Sequence, residues 1–548
     1  MDFDYVIIGA GSAGCVLANR LSSKPQNKVC LIEAGPSDIS PYIDIPAGFL
    51  KTVTSRKYNW LYETEPSLGT NGRSIPTPRG KVLGGSSSIN GLIFNRGQRM
   101  DFDNWAQRGN AGWSFADLLP HFKSIETYIP LKSNSFRNPI EQNLRGNAGE
   151  MVVSDLSWRD PLCDAFIKAA ISMGMPLNND YNGVNEEGVS YVQRTVSGSR
   201  RMSASKAFLN PIKNRKNLKI ITNAHLTELL FNNCKVVGIV YEKSRFNPKK
   251  AILKVDGEVI LSAGSINSPQ ILQLSGIGSG HLLRSLNINV RKELPGVGEN
   301  LRDHYATRLT GRAKNVKTIN EMSRGFSLMG EAIKYAFGRP SILALGPTLV
   351  YCFWHSNEFH RNNDLQISFT PASYALGRQA QLDRFPGFSI ASWVQRPESS
   401  GWVKIKSNDP YEKPRIQPNY LSAIEDQKIS IKGIKISRKL MNSKELSPYF
   451  EYEVYPGKEI QSDDQLLQIA RERSNTAYHL VGSCRMGPVS DRTSVVDSQL
   501  RVRGFQNLRV VDASIMPNIT SGNINAPVMM LSHLSSKIIL EELKQNYL

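Results

Sequence analysis

The chain has 548 residues, of which 40% are hydrophobic and 21% charged, as is usual for a globular protein. This length exceeds what one hydrophobic core usually supports, so we expect two structural units. No apolar run approaches the roughly 20 residues that a membrane-spanning helix needs. The most apolar stretch, Ser341 to Trp354, is short and is interrupted by glycine and proline, so a spanning helix is not expected.

The N-terminus, Met1-Asp2-Phe3-Asp4, lacks the basic region and cleavage site of a secretory signal, so we expect a cytoplasmic protein. The formal net charge of +19 could attract nucleic acid, an anionic membrane surface or an acidic substrate. The basic residues are dispersed, however, and their densest cluster, Lys213 to Lys219, also fits a solvated connection before a strand. The pattern predicts no nucleic-acid partner and leaves peripheral membrane association open.

The six cysteines are scattered along the chain, with no Cys-x-x-Cys motif and no cluster at the spacing of a zinc site. This spacing is typical of free buried thiols. The sequence therefore predicts no metal site.

The first motif joins a strand, a glycine turn and a helix. A short β-rich run leads into the sequence Gly9-Ala10-Gly11-Ser12-Ala13-Gly14, which opens a helical pattern. Gly9 permits a tight turn, Gly11 lets the backbone approach a pyrophosphate, and Gly14 lets helix and strand pack closely. The helix N-terminus, with Ser12 and Ala13, presents unpaired N–H groups and a partial positive charge to the phosphates.

A second β-rich run, Lys28 to Ile32, leads into Glu33 and Ala34. Glu33 follows the glycines by roughly twenty residues, the distance at which a ribose-binding acid stands in dinucleotide folds. The complete motif predicts a dinucleotide site, with Glu33 and Ala34 as cofactor contacts. By itself it does not distinguish FAD from NAD.

A loop that is too rich in glycine and serine for a core segment follows. Its sequence is Pro78-Arg79-Gly-Lys-Val82-Leu-Gly84-Gly85-Ser86-Ser-Ser-Ile-Asn90-Gly91. This stretch resembles the first signature of the glucose-methanol-choline (GMC) oxidoreductase family, which wraps the flavin. The resemblance implies cofactor contacts from Arg79, Val82, Gly84, Gly85, Ser86, Asn90 and Gly91.

The resemblance extends over nearly the whole chain. Leu261 to Gly278 is similar to the family's second signature, and Gly296 to His304 and Val510 to Pro517 also match family blocks. The similarity is strongest to the alcohol and choline dehydrogenase branch and implies FAD as cofactor. Further contacts implied in the same way are Leu226, Ala263, Asp512, Ala513, Asn525, Ala526 and Pro527.

One departure from the family bears on how FAD is held. Some members attach FAD covalently through a histidine in the glycine-rich loop, where this chain has Ile89. The resemblance therefore implies non-covalent FAD.

The segment Thr476 to Gly487 resembles the family's active-site strand, with His479 at the position of the catalytic base. Asn523 stands where family members hold a second histidine or, in the choline and alcohol dehydrogenases, an asparagine. Oxidising an alcohol releases a proton from oxygen and a hydride from carbon, and a flavin accepts only the hydride. Neutral imidazole, with a pKa of about 6.5, can take the proton, and an asparagine N–H can hold the developing alkoxide.

The function implied is oxidation of a small primary alcohol, aliphatic or aryl, with a quinone, another carrier or oxygen as electron acceptor. Choline is less favoured, because the surplus positive charge would repel a cation at long range. The alternatives are an oxygen-dependent alcohol oxidase and the family's hydroxynitrile lyases and fatty-acid photodecarboxylases, which share its fold. A non-enzymatic FAD-binding or membrane-associated scaffold is a further reading.

The expected fold is α/β, α+β overall, with a Rossmann-like FAD-binding domain and a substrate-binding domain built on an antiparallel sheet. We assign residues 1–155, 200–310 and 470–548 to the FAD domain and residues 156–199 and 311–469 to the substrate domain. Strands are predicted at 364–369 and 387–394, and a small antiparallel sheet at 217–222, 226–231 and 235–241 with a turn at Asn232-Asn233. Tyr351, Trp354 and Trp393 are candidate pocket walls, whereas His121, His304 and His533 are interpreted as structural.

Overall fold

The computed structural model describes residues 3–131, 143–245, 249–357, 362–375 and 380–546. Its α-helices are α1 (Ser12–Leu21), α2 (Pro41–Asp44), α3 (Phe49–Thr52), α4 (Arg99–Gln107), α5 (Phe115–Ile125), α6 (Pro161–Ser172), α7 (Gly264–Leu274), α8 (Gly280–Ser285), α9 (Ile319–Met322), α10 (Gly325–Ala336), α11 (Ile424–Met441), α12 (Asp463–Arg473) and α13 (Asn525–Asn546).

The strands are β1 (Phe3–Ile8), β2 (Val29–Ile32), β3 (Tyr62–Glu63), β4 (Pro76–Thr77), β5 (Glu126–Ile129), β6 (Met151–Asp155), β7 (Gly188–Tyr191), β8 (Gln193–Arg194), β9 (Val196–Ser197), β10 (Arg200–Arg201), β11 (Leu218–Ile221), β12 (His225–Asn232), β13 (Lys235–Glu242), β14 (Lys250–Leu261), β15 (Ile277–Gly278), β16 (Lys292–Glu293), β17 (Glu299–Leu301), β18 (Tyr305–Ala313), β19 (Val350–Trp354), β20 (Leu365–Thr370), β21 (Gly387–Val394), β22 (Gly401–Lys404), β23 (Arg415–Gln417), β24 (Phe450–Tyr455), β25 (Asn475–Thr476) and β26 (Leu508–Val510).

The first large sheet has seven strands and begins with the N-terminal motif. Strands β11, β2, β1, β14 and β26 lie side by side and run parallel. Every residue of β2 is buried, which explains why this strand is continuously apolar rather than alternating. Helix α1 returns from β1 and packs against α13 from the other end of the chain. This parallel α/β unit confirms the predicted Rossmann-like half of the fold.

One strand of this sheet was expected elsewhere. Strands β12, β13 and β14 form the antiparallel extension of the sheet, and the predicted turn lies between Asn232 and Lys235. The strand predicted at 217–222 is present as β11, but it pairs in parallel with β2 at the opposite edge. Its placement in the small antiparallel sheet was wrong, because alternating hydrophobicity predicts a strand without identifying its partner.

The second large sheet is antiparallel and has the path β24-β18-β21-β20-β19-β7, with β25 pairing to β18. This confirms the expected antiparallel sheet, including strands at 365–370 and 387–394. Helices α6 and α11 pack against one face of it. Phe166 of α6 stacks on Phe369 there, with ring centroids 4.6 Å apart. The opposite face is turned toward the C-terminal loop that carries Asn523.

Two further expectations concern burial. The apolar stretch Ser341 to Trp354 belongs to the core, since most of it, including all of Leu349 to Phe353, is buried. Of the six free cysteines, five are buried as expected, whereas Cys234 is exposed beside the β12–β13 turn. The division into domains stays a prediction, and the strand β18 crosses its boundary at residue 310.

Candidate active site

The glycine turn brings β1, β14 and α1 together at one point. Gly9 has a φ of +99°, and a side chain there would meet the Ser262 carbonyl oxygen at 2.5 Å. A Cβ on Gly14 would lie 1.9 Å from the Gly9 carbonyl oxygen, so helix and turn are in direct backbone contact. A Cβ on Gly11, by contrast, would meet nothing within 4 Å. The N-terminus of α1, with Ser12 and Ala13, therefore faces open space at Gly11.

Glu33 fastens this turn to the end of β2. Its two carboxylate oxygens accept hydrogen bonds from the backbone N–H groups of Ala10 at 2.9 Å and Gly35 at 2.8 Å. Burial raises the pKa of Glu33 to about 7, and these two hydrogen bonds oppose that rise. The Ala224 N–H donates to the Glu33 carbonyl oxygen, which brings the start of β12, with Leu226, beside Glu33 and Ala34.

The first-signature loop lies against the glycine turn. The Gly84 N–H donates to the Ala10 carbonyl oxygen at 2.7 Å, and a Cβ on Gly85 would lie 2.6 Å from the Gly11 Cα. The Ser86 hydroxyl accepts from the Gly80 N–H at 3.1 Å and so holds the two ends of the loop together. The two glycine-rich segments that the sequence assigns to the cofactor site are therefore in contact.

Arg201, which the sequence did not single out, clamps the far end of this loop. Its Nη1 donates to the Ser87 carbonyl at 3.2 Å and to the Asn90 carbonyl and side-chain oxygens at 2.8 Å each. Its Nε donates to the Ile43 carbonyl at 3.0 Å. Complete burial lowers the pKa of Arg201 to about 9. An arginine in a strand gives no sequence signal of such a role, because its contacts lie about 110 residues away.

Asp512 ties the second signature to the C-terminal block. One carboxylate oxygen accepts from the Gly264 N–H at 2.9 Å and the Ser268 hydroxyl at 2.5 Å, and the other accepts from the Ser514 N–H at 2.8 Å. Burial raises the pKa of Asp512, and these hydrogen bonds counter the rise. Ala263 and Ala513 flank these contacts, so both lie at the joint between the two segments.

The C-terminal segment reaches the glycine turn through Asn525. Its side-chain oxygen accepts from the Ser12 hydroxyl at 2.7 Å. Asn525 is the first residue of α13 and is followed by Ala526 and Pro527. A proline near a helix start needs no N–H partner there, and this explains why the helix begins at this point.

The remaining predicted contacts lie around the same loop. Val82 is buried in a small cluster with Ile43, Tyr58 and Ile89. A Cβ on Gly91 would lie 2.8 Å from the Pro347 ring, so Gly91 marks where the loop meets the segment that leads to β19.

His479 lies at the centre of a chain of side-chain hydrogen bonds. Its Nδ1 is 2.9 Å from Nδ1 of His304, and its Nε2 is 2.9 Å from Nδ2 of Asn523. Nε2 of His304 is 2.7 Å from the Gln395 carbonyl oxygen, and the Tyr351 hydroxyl donates to Oδ1 of Asn523 at 2.9 Å. The two residues proposed from the sequence as a pair, His479 and Asn523, are thus in direct contact.

The end points of this chain fix where the protons lie. The Gln395 carbonyl can only accept, so Nε2 of His304 carries a proton and, in the neutral ring, Nδ1 does not. Nδ1 of His479 must then donate to His304, which leaves Nε2 of His479 as an acceptor for the Asn523 N–H. The lone pair on Nε2 of His479 is therefore the basic site, and it points to Asn523.

Burial keeps both histidines neutral. It lowers the pKa of His479 well below 6.5, with a smaller effect in the same direction from the positive charge of Arg79. It also lowers the pKa of His304 to about 4. Nη2 of Arg79 is buried without a hydrogen-bond partner in the described residues. A buried guanidinium nitrogen that lacks a hydrogen-bond acceptor, close to a histidine, favours a ligand that places a partly negative atom at this position.

Asp303 holds the backbone of both histidines. One of its oxygens accepts from the N–H groups of His304 at 2.9 Å and His479 at 2.7 Å, and the other accepts from the Tyr420 and Thr476 hydroxyls. The residue before His479, Tyr478, has a φ of 69°, which is uncommon for a bulky residue. The surrounding bonds to Asp303 and Thr476 fix this turn and hence the direction of His479.

Comparison with known proteins identifies the family. The models of GMC oxidoreductase match residues 3–306 and 397–532. The chain is 39% identical over 545 residues to an alcohol dehydrogenase [acceptor] of Pseudomonas putida, covering 98% of this chain and 96% of that protein. It is 39% identical over 543 residues to an oxygen-dependent choline dehydrogenase of Staphylococcus xylosus, covering 98% and 94%.

The chain belongs to the GMC oxidoreductase family. It is an FAD-dependent oxidoreductase that acts on a CH–OH donor. Among solved structures, pyridoxine 4-oxidase from Mesorbium loti superposes with a TM-score of 0.86 at 28% identity, covering 98% of this chain and 99% of the other. The similarity extends over both large sheets, which confirms the family and fold that the signatures predicted.

The second sheet of this GMC oxidoreductase presents an aromatic face to Asn523. Tyr351, which donates to Asn523, lies 6.1 Å from Trp393 between ring centroids, at 77°. Gln366 pairs in register with Trp393 and points to the same face. Trp354 lies on the opposite face, because side chains alternate along β19, so it is not part of this wall.

His304 is the main residue that sequence reasoning misjudged in this GMC oxidoreductase. It was interpreted as structural, yet its ring contacts His479 directly. The sequence signal for a role at the site was its position in the block Gly296 to His304, which resembles the family. Asp303 belongs to the same block and was also missed.

A cavity of about 450 Å³ is lined in part by Ala34, the residue after Glu33. Its aromatic lining includes Trp60, which stacks on Tyr62, and His225, which stacks on Tyr411 at 4.5 Å between centroids. The cavity lies next to the start of β12 and thus next to Leu226.

Proposed function

We propose that this GMC oxidoreductase oxidises a primary alcohol to an aldehyde, with His479 as the base and Asn523 as its partner. The proposal rests on the directed hydrogen-bond chain from Gln395 through His304 and His479 to Asn523 and Tyr351. This chain leaves Nε2 of His479 unprotonated beside an amide N–H. A base and a hydrogen-bond donor side by side are what removal of a hydroxyl proton requires.

The residues act in a fixed order. The alcohol hydroxyl takes the place of the Asn523 N–H at Nε2 of His479 and donates to that nitrogen, while the Asn523 N–H, aligned by Tyr351, donates to the hydroxyl oxygen. When the proton moves to Nε2, Nδ1–H of the resulting imidazolium still donates to the lone pair on His304. His304 thereby stabilises the charged ring without changing its own protonation, much as the buried acid does in a catalytic triad.

The residues around the glycine turn fit FAD. The space at Gly11 and the N-terminus of α1 would take the pyrophosphate, Glu33 and Ala34 the ribose, and the adjoining cavity with Leu226 the adenine. The first-signature loop, Asp512 and the start of α13 would hold the ribityl chain and isoalloxazine ring. FAD supplies the acceptor for the hydride that leaves the carbinol carbon. Because Ile89 replaces a histidine, we propose that FAD is bound non-covalently.

The cofactor assignment has its own test. Gly11→Val should abolish copurification of FAD, because its side chain would enter the space reserved for the pyrophosphate without meeting protein atoms. The FAD-to-protein absorbance ratio measures this, and acid precipitation of the wild type should release all flavin into solution. A Gly11→Val protein with full FAD would contradict the pyrophosphate site, and flavin retained in the acid pellet would contradict non-covalent binding.

The substrate class follows from the charge and shape of the site. An aromatic wall with Tyr351 and Trp393 suits an aliphatic or aryl alcohol. The buried positive charge of Arg79 near His479 disfavours a quaternary ammonium group such as that of choline. For the electron acceptor, the His479 and Asn523 pair supports a dehydrogenase that uses a quinone or another carrier rather than oxygen.

An anaerobic absorbance scan in the dark tests the reaction. We expect the flavin bands to bleach with one class in a panel of aliphatic, aryl, polyol, amino and acidic alcohols, and to recover slowly when air is admitted. Fast recovery would indicate an alcohol oxidase. Failure of every alcohol to bleach the flavin would contradict the proposal and favour a lyase or, if bleaching needs blue light and a carboxylic acid, a photodecarboxylase.

We also propose the domain division given by the sequence, and a cytoplasmic enzyme with a peripheral membrane contact. The division is supported by the two separate sheets and is tested by limited proteolysis near residues 155, 200, 310 and 470. The location is tested by cell fractionation.

A further inference from the structure

Helix α10 has its apolar side chains on the outside. Phe326, Met329, Ile333 and Phe337, which directly follows the helix, are 88%, 56%, 55% and 79% exposed. Their spacing of three or four residues places them on one face of the helix. A surface helix normally turns such a face to the core, so the orientation of α10 is inverted.

Polar contacts on the inner face hold α10 in this orientation. Glu331 is buried, and its carboxylate accepts from the Ile342 N–H at 3.0 Å and pairs with Lys334 at 2.6 Å. The Tyr335 hydroxyl donates to the Ser199 carbonyl at 3.1 Å. These residues lie four apart, on the side opposite the apolar face. The outward apolar face is therefore fixed by the fold rather than being a frayed segment.

The chain segment that carries this apolar face is rich in basic residues. Within the described stretch 314–340, the two acidic residues are both engaged, Glu321 at the N-cap of α9 and Glu331 in the buried contacts. The basic residues near the helix are Lys314, Lys317, Arg324, Lys334, Arg339 and, through its neighbour Ser199, Arg200. An apolar stripe bordered by cations is complementary to the anionic headgroups and acyl chains of a bilayer.

We propose that α10 is a membrane-docking helix that lies in the interface of an anionic lipid bilayer. The helix has 12 residues and is about 18 Å long, too short to cross a bilayer. No helix among the described residues could cross a membrane. The docking is therefore peripheral: it rests on the peripheral membrane contact proposed above, names the element that makes it, and does not depend on the proposed oxidation.

The position of α10 gives this contact a consequence for substrate access. The chain continues from α10 through Ile342–Ala344 to Pro347, which touches Gly91 of the first-signature loop, and then into β19 with Tyr351. A bilayer-bound α10 therefore lies at one end of a short segment whose other end supports Asn523. Alcohols that partition into the bilayer would be concentrated at this side of the enzyme.

The most apolar stretch of the sequence, Ser341 to Trp354, cannot make this membrane contact, because most of it is buried in the core. Helix α10 is less apolar in sequence, and its exposure makes it the membrane-facing element. Ile39, which precedes α2, and Tyr42, which lies in it, are further exposed apolar residues. The chain just after them, Pro46–Gly48, contacts Ile342–Ala344.

Sedimentation of the FAD-bound enzyme with sucrose-loaded vesicles tests the proposal. We expect binding to vesicles of phosphatidylcholine with phosphatidylglycerol and much weaker binding to phosphatidylcholine alone. The variant Phe326→Ser/Met329→Ser/Ile333→Ser/Phe337→Ser should lose roughly tenfold or more in vesicle affinity, because its apolar face no longer enters the acyl region. The matched control Leu68→Ser/Val489→Ser removes side chains that are 93% and 86% exposed elsewhere, and should bind like the wild type.

A second variant separates charge from apolar burial. Arg200→Gln/Arg339→Gln should weaken binding to the anionic vesicles about fivefold for each charge, and more at low salt than at high salt. Turnover of a water-soluble alcohol should be unchanged in both variants, since none of these residues touches the active site. Equal vesicle binding by the fourfold variant and wild type, or no binding by the wild type, would overturn the proposal. So would a fall in molar mass of the fourfold variant by light scattering, which would assign the face to a second copy of the chain.

Discussion

Two pairs of histidines in this protein have nearly the same geometry. His304 and His479 meet at 2.9 Å between Nδ1 atoms, with ring centroids 5.1 Å apart and an angle of 88°. His121 and His533 also meet at 2.9 Å between Nδ1 atoms, with centroids 5.2 Å apart and an angle of 61°. All four rings are buried. The first pair lies between the second sheet and the loop of Asn523, and the other between α5 and α13.

Burial has the same effect on both pairs, so a lowered pKa does not distinguish them. It lowers the pKa of His304 and of His121 to about 4 and that of His533 to about 3. The outer nitrogens differ. Nε2 of His479 faces Asn523. Within the described residues, the rings of His121 and His533 hydrogen-bond to each other. The partner on the outer nitrogen, rather than the pKa, separates a candidate base from a structural histidine.

The largest effect should come from removing the proposed base. His479→Ala should leave FAD bound but slow anaerobic flavin reduction by the alcohol about 100-fold or more, as expected for loss of a general base. Stopped-flow absorbance measures the rate. The matched variant in the other pair, His121→Gln, should retain the wild-type rate. Equal losses in the two variants would mean that the comparison is wrong and that both changes act through stability.

Replacing the inner histidine should have a smaller effect of a different kind. His304→Ala should slow flavin reduction by roughly 10-fold to 100-fold, because His479 loses the acceptor that fixes its tautomer and stabilises its charged form. Because the lone pair of neutral His304 stabilises the charged ring of His479, its removal should lower the pKa of His479 and move the acid limb of the rate profile to lower pH. The pH dependence of kcat/KM measures this shift. A uniform loss of rate at every pH would indicate a purely structural role.

Much of this arrangement could be predicted from the sequence, because it depends on short motifs. The glycine turn and the first-signature loop are short motifs that depend on backbone contacts within the motif, as the close approach of Gly14 to the Gly9 carbonyl oxygen illustrates. The parallel half of the fold followed from continuous apolar strands such as β2 and from the glycine turn that joins β1 to α1. His479 and Asn523, which the sequence suggested as a pair because both lie in family-like segments, are in direct contact.

What the sequence missed depends on contacts between distant segments. Arg201 clamps a loop about 110 residues earlier, and His304 reaches His479 across 175 residues. Neither residue differs in type or spacing from a structural one. The outward face of α10 was missed for a similar reason, since helical periodicity predicts an apolar face but not the direction in which it points.

Removing the bond that aligns Asn523 should have a modest effect. Tyr351→Phe loses the hydroxyl that donates to Oδ1 of Asn523 while keeping the aromatic ring. A single neutral hydrogen bond contributes about 1 kcal/mol, so we expect a three- to tenfold loss in flavin reduction. Single-turnover rates at saturating alcohol would detect it. If instead the rate is unchanged and only the apparent affinity for alcohol falls, Tyr351 acts in binding rather than in alignment.

The His121–His533 pair should affect the stability of the folded protein rather than the rate of flavin reduction. In the unfolded chain both histidines titrate near pH 6.5, whereas in the folded protein burial lowers the pKa of His121 to about 4 and that of His533 to about 3. The unfolded state therefore binds more protons below pH 6.5, and the stability that the neutral pair contributes at neutral pH is lost as the pH falls toward 4 and 3. In His121→Gln, the melting temperature should fall less between pH 7 and pH 5 than in the wild type. Because the site histidines titrate in the same window, the variant should keep part of the wild-type slope. If the two slopes are identical, the His121–His533 pair is already open or protonated in the folded protein, and its likeness to the His304–His479 pair is geometric only.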